Sequence, residues 1–150
     1  MLQIGDKAPD FAMLSDEGKA IRLRDLKGKT IVLYFYPKDD TPGCTKEACD
    51  FRDAYSDIKK KAVLLGVSLD DEAAHQKFKL KYKLPFPLLI DTSALISKAY
   101  GVYKEKNMYG RKFWGIERST FVIGPDGKLQ AVFPKVKVDG HLEQVMEAIK

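Results

Sequence analysis

The sequence predicts an α/β fold, a central mixed β-sheet flanked by helices on both faces, with an N-terminal β-hairpin. Three observations carry that reading. Runs of β-branched and aromatic residues, the length of buried strands, alternate with helix-length segments through the first two thirds of the chain. The last third reads as strand, turn, strand and helix. A chain of 150 residues, 45% of them hydrophobic, suffices for one core and would crowd two. One domain over residues 1–150 is expected.

Taken in order, Phe11–Leu14 and Ala20–Leu23 flank the turn-like Ser15-Asp16-Glu17-Gly18 and form the hairpin. Thr30–Tyr36 is a strand buried on both faces. A helix follows from about Thr41 to Lys60, and Ala62–Leu69 is a second buried strand. Ser68-Leu69-Asp70-Asp71 opens the next helix. Residues 77–84 alternate with period two, yet Ala74, Phe78 and Tyr82 also fit one helical face. Helix is preferred, because parallel strands need a crossover before Leu88-Leu89-Ile90. Ser93 caps a short helix reaching Tyr100. Thr120–Ile123 and Leu129–Phe133 are strands joined by Gly124-Pro125-Asp126-Gly127. Asp139 caps a final helix with apolar positions Leu142, Val145, Met146 and Ile149.

The charge balance, 26 basic against 21 acidic residues, is mildly positive and spread along the chain. The densest cluster is Lys77, Lys79, Lys81 and Lys83. It lacks the interleaved aromatics of a nucleic-acid stacking platform and reads as a solvated face. The longest apolar run, Ile31–Tyr36, is far short of a membrane span, and no signal peptide is visible. The expected compartment is the reducing cytoplasm, where a close cysteine pair points to chemistry rather than to stapling.

The only cysteines are Cys44 and Cys49. Thr41 suits the helix N-cap and Pro42 the first helical position, which puts Cys44 in the first turn. Free backbone N–H groups and the positive end of the helix dipole favour thiolate over thiol there. The same donors can hold an oxygen-bearing substrate, and Thr41 adds a hydroxyl. Ala48, Phe51, Tyr55 and Ile58 form one buried stripe that Cys44 extends, so its sulfur should face the sheet. Five helical residues separate two Cα atoms by about 8.7 Å, beyond the roughly 7 Å that a disulfide spans. If the pair bridges, the first turns of the helix must unwind. Metal binding is the rival use of two thiols. No zinc spacing is present, Cys-x-x-Cys is absent, and His75 and His141 read as surface residues of two helices.

Pro37-x-x-x-Thr41-x-x-Cys44 resembles the active-site signature of the peroxiredoxins. Gly43-Cys44-Thr45-Lys46-Glu47-Ala48-Cys49-x-Phe51-Arg52-Asp53 resembles the bacterioferritin-comigratory-protein, or peroxiredoxin Q, subfamily. The likeness begins at Gly5–Phe11 and continues through Val32–Pro37 to Gly115–Ile123. It implies a thioredoxin-like fold and thiol-dependent reduction of hydrogen peroxide and organic hydroperoxides. It also implies that Cys44 is the peroxidatic cysteine, shielded by Pro37, that Thr41 hydrogen-bonds the thiolate or the peroxide, and that Cys49 resolves Cys44. Arg118 matches the family arginine that reaches the site from a later strand. Glu47 matches the subfamily run and reads equally well as a solvated helix residue.

The implied chemistry needs no metal and no organic cofactor. A sulfenic acid on Cys44 is captured by Cys49, and thioredoxin or a similar dithiol reductant reopens the disulfide. An intramolecular pair works in a monomer or a weak homodimer. Two alternatives use the same thiol without peroxidase turnover: a thiol–disulfide oxidoreductase acting on proteins, and a redox-sensing module. Phe113 and Trp114 precede Arg118 in an undefined stretch and either line the site or simply pack.

Overall fold

A computed structural model describes residues 1–150. Strand β1 (Ala12–Leu14) pairs antiparallel with β2 (Ala20–Arg22), giving the expected hairpin. A short 3-10 helix, Leu23–Leu26, leads to β3 (Ile31–Phe35), which is buried along its whole length. Then follow α1 (Pro42–Asp53), α2 (Tyr55–Ile58), β4 (Val63–Ser68), α3 (Glu72–Tyr82), β5 (Leu88–Ile90) and α4 (Leu95–Ala99). The chain closes with β6 (Tyr103–Met108), β7 (Arg111–Ile116), β8 (Ser119–Ile123), β9 (Leu129–Phe133) and α5 (His141–Ala148).

The central sheet has the order β5-β4-β3-β8-β9. β3 runs parallel to β4, and β4 to β5, through helical crossovers; β8 and β9 are antiparallel additions. The sheet is mixed, as expected. Alternation along β3 divides the core in two. Val32, Tyr34 and Tyr36 pack with residues of α1, α3 and α5, including Phe51, Phe78 and Val145. Ile31, Leu33 and Phe35 meet Phe11 and Met13 of the hairpin and Ile96 and Tyr100 around α4. Gly66 of β4 lies under the Tyr34 ring, where a Cβ would stand 3.0 Å from the ring and its hydroxyl.

Several local expectations need correction. The long helix breaks at Ala54, whose ψ of 4° leaves the helical range, so residues 42–58 form two helices. Asp71 caps α3 by accepting from Ala74 N. Ser93 is not the main cap of α4: Asp91 accepts from the Ile96 and Ser97 amides at 3.2 and 2.7 Å, against 3.4 Å from Leu95 N to Ser93. Asp139 does not cap α5; Gly140 holds the cap position with φ 83°, and Asp139 pairs with Lys46. The stretch before Arg118 is the β6–β7 hairpin, turning on Tyr109 and Gly110, both at positive φ. No helix is long and apolar enough to cross a membrane.

Candidate active site

The site forms where β3 ends and α1 begins. Tyr36 N bonds to Val67 O, holding the chain one residue beyond β3, and residues 37–41 then loop into the helix. Thr41 occupies the N-cap with extended backbone, and Pro42 opens the helix. The Thr41 hydroxyl does not close a capping bond. It donates to the Lys38 carbonyl at 2.8 Å, which tightens the loop and leaves its oxygen lone pairs free to accept. Pro37 is half-buried between Tyr36 and this turn.

Cys44 lies in the first turn of α1 and is 1% exposed, its side chain packed into the sheet-facing cluster as the stripe predicts. Arg118 reaches it from the start of β8. The register explains the reach: Phe35 pairs with Ser119, so Arg118 falls beside the end of β3. One arm of its guanidinium, Nη2, donates to Cys44 Sγ at 3.3 Å. The other, Nη1, donates to Glu47 Oε1 at 2.8 Å. Arg118 thus bridges a thiol and a carboxylate one helical turn apart, a use of the fork that lysine has no geometry for. Gly43 makes room for it. A Cβ there would stand 3.0 Å from Arg118 Nη2, so the glycine before Cys44 is a clearance requirement.

Glu47, which the sequence leaves open between a subfamily match and a solvated helix residue, is a member of the site. It is 2% exposed, and its Oε2 has no hydrogen-bond partner. Burial pushes its carboxyl up to about 7, against the opposing pull of Arg118. Near neutrality the carboxyl therefore exchanges between a neutral form and an anion that competes with Cys44 for the same cation. Its three-residue spacing from Cys44 was the available signal, since i and i+3 share a helix face.

Cys49 sits on the same helix, partly buried and unbridged, and burial pushes its thiol up. The intact helix holds the two cysteines apart, as the spacing requires. Lys106 and Phe113 are cross-strand partners on one face of the β6–β7 hairpin, and both lie over Gly115. Burial and the neighbouring charge of Arg118 lower the Lys106 ammonium, while Cys44 favours it. Trp114 projects from the other face and stacks on Tyr103 at 5.6 Å. Of the two aromatics left open by the sequence, Phe113 shares a hairpin face with Lys106 and Trp114 packs on Tyr103.

The arrangement is a buried thiol at a helix N-terminus, held by a guanidinium, with the second thiol kept apart by the intact helix. The AhpC/TSA family model matches residues 4–132. The chain belongs to the AhpC/TSA family of peroxiredoxins. Peroxiredoxin Bcp of Bacillus subtilis is 48% identical over 150 residues, covering 99% of this chain and 96% of that protein. Xylella fastidiosa PrxQ superposes with a TM-score of 0.92 at 38% identity, covering 98% and 94% of the two chains. The bacterioferritin comigratory protein of Xanthomonas campestris gives 0.89 at 40% identity, covering 99% and 96%; that structure bears on its alkyl peroxide reduction activity. This peroxiredoxin is therefore a thiol-dependent peroxidase of the Bcp/PrxQ branch, with the thioredoxin-like fold of its structural neighbours.

Proposed function

We propose that this peroxiredoxin reduces hydrogen peroxide and organic hydroperoxides with Cys44 as nucleophile and Cys49 as resolving thiol. The observation that carries the assignment is the 3.3 Å contact between Arg118 and the buried Cys44 sulfur at the start of α1. The Cys44 thiolate attacks the distal peroxide oxygen, and the O–O bond breaks. The leaving oxygen takes a proton and departs as water or an alcohol, leaving a sulfenic acid on Cys44. Arg118 and the free amides of the first helical turn stabilise the oxygens as charge moves from sulfur to the leaving group. Thr41 accepts a hydrogen bond from the incoming peroxide through its free lone pairs, and Pro37 shields the sulfur from bulk water.

The first turns of α1 then unwind. The Cys49 thiolate attacks Cys44 sulfur, an S–S bond forms, and hydroxide leaves to be protonated as water. A dithiol protein of the thioredoxin type restores both thiols by exchange. No metal or organic cofactor enters the cycle. The whole chain acts as one domain in the cytoplasm, and because both cysteines come from one helix a monomer or weak homodimer suffices.

Peroxide consumption coupled to a thioredoxin system tests this reading. Turnover is expected for the wild type, with none for Cys44→Ser. Undiminished turnover in Cys44→Ser overturns it. Turnover with protein disulfides but not peroxides would favour the oxidoreductase alternative.

A further inference from the structure

The loop between β3 and α1 is gripped from behind by α3, at a cluster of buried polar groups that the peroxidase chemistry does not use. Tyr36 OH donates to Asp39 Oδ1 at 2.6 Å, and His75 Nδ1 meets Asp39 Oδ2 at 2.6 Å. His75 Nε2 meets the Leu89 carbonyl of β5 at 2.8 Å. A carbonyl only accepts, so Nε2 carries a proton, and the Asp39 carboxylate takes a second from Nδ1. Burial opposes a charged ring, but the bonds to Asp39 and Leu89 outweigh it and hold His75 above its ordinary value. The imidazole is fully buried and Asp39 nearly so.

The next two attachments come from the same region. Asp39 N donates to Asp70 Oδ2 at 2.8 Å, and Ser68 Oγ holds that same oxygen at 2.7 Å. Asp40 sits in the left-handed region at φ 58°, which disfavours a residue other than glycine. Its carboxylate accepts from Lys81 Nζ and Tyr82 OH of α3, each at 2.8 Å. Residues 36–40 are therefore tied to β4, α3 and β5 by side chains, whereas Pro42–Cys49 is tied to its own helix and to Arg118. The tethers stop at Asp40, just before the helix whose first turns unwind.

We propose that His75 is a positioning residue for peroxide reduction, fixing the Pro37–Thr41 wall through Asp39 while the first turns of α1 unwind and rewind. This rests on the assignment of Cys44 and Cys49 given above. In a fixed wall the loop keeps the Lys38 carbonyl and Thr41 hydroxyl in place, so the folded site reassembles without searching. Loosening the wall costs alignment in the peroxide step and lowers the barrier to leaving the folded site.

Two substitutions separate this role from plain packing. An asparagine amide reproduces the Nδ1 position and can still donate to Asp39. A glutamine amide reproduces Nε2 and reaches Leu89 but not Asp39. In a Cys49→Ser background, rapid quench and mass spectrometry follow sulfenic acid formation at Cys44. With Cys49 present, the same method follows disulfide formation. His75→Gln should slow the first step by about ten-fold and leave the second unchanged or faster, because misplacing an aligned group by an ångström costs that much or more. His75→Asn should keep both rates within about three-fold of wild type. Wild-type rates for folded His75→Gln, or equal losses in both variants, overturn the proposal. Should His75→Gln fail to fold, Asp39→Asn carries the same test, with the same two expected shifts and wild-type rates again the contrary result. Failure of the Cys44 assignment is distinguishable: Cys49→Ser with His75 intact would then form no sulfenic acid at Cys44.

Discussion

Replacing Glu47 with glutamine removes a buried site carboxyl whose ionisation works against the fold. The carboxyl is 2% exposed, and burial raises it from 4.5 to about 7 despite the 2.8 Å bond from Arg118. The folded state therefore binds this proton more tightly than the unfolded state. The resulting stability is full below 4.5 and is lost as pH rises through about 7. Integrating between about pH 5 and about pH 8, the carboxyl's contribution falls by roughly 2–3 kcal/mol. Glutamine keeps an acceptor for Arg118 Nη1 and cannot titrate. Every other ionisable group is common to both proteins and cancels in the comparison. The stability difference between wild type and Glu47→Gln should shift by roughly 2–3 kcal/mol across that interval, or about 5–10 °C in Tm for a domain of this size. The variant gains on the alkaline side. Thermal unfolding of the reduced proteins at the two pH values measures it. Parallel pH profiles would refute the reasoning and mean that Glu47 stays ionised throughout, with Arg118 fully compensating its burial.

Three further outcomes follow from the same geometry. Gly43→Ala should lower the single-turnover peroxide rate while leaving Tm equal or slightly raised, because alanine favours the helix by up to about 1 kcal/mol but its Cβ meets Arg118. Arg118→Lys should cost about 100-fold or more in the peroxide step, since the ammonium cannot hold Cys44 and Glu47 together. Oxidation with one equivalent of peroxide should lower the far-UV helix signal, and reduction should restore it. An unchanged spectrum would contradict the unwinding of α1.

The elements that were legible in the sequence are those defined by local pattern. The run Ile31–Phe35 could only be a strand buried on both faces, and Thr41-Pro42-Gly43-Cys44 carries its own helix start. The buried polar groups were not legible, because their partners are distant in the chain. Asp39 is 36 residues from His75, and Arg118 is 71 residues from Glu47. His75 and His141 sit on helices, as expected, but both are buried rather than at the surface. His141 faces Thr120 and Gln144 at 2.8 and 2.9 Å, and burial holds it below its ordinary value. The β6–β7 hairpin escaped notice for a different reason. It is largely exposed, so its strands lack the apolar alternation that marks a half-buried sheet. Ser93 and Asp139 are good capping types, but Asp91 accepts the first amides of α4 instead, and the left-handed Gly140 takes the cap position of α5 without a side-chain bond. Glu47 lay in plain view at i+3 from Cys44. Only the arrival of Arg118 from β8 makes it part of the site.

The central claim is that one thiol attacks peroxide and its neighbour on the same helix captures the product. Mass spectrometry of the reduced protein after one equivalent of hydroperoxide tests it directly. The account predicts loss of two hydrogens in wild type with Cys44 and Cys49 linked in one peptide. It predicts gain of one oxygen on Cys44 in Cys49→Ser, and no change at Cys49 in Cys44→Ser. Oxidation of Cys49 in Cys44→Ser at the wild-type rate, or a disulfide joining two chains in place of the internal link, would contradict it.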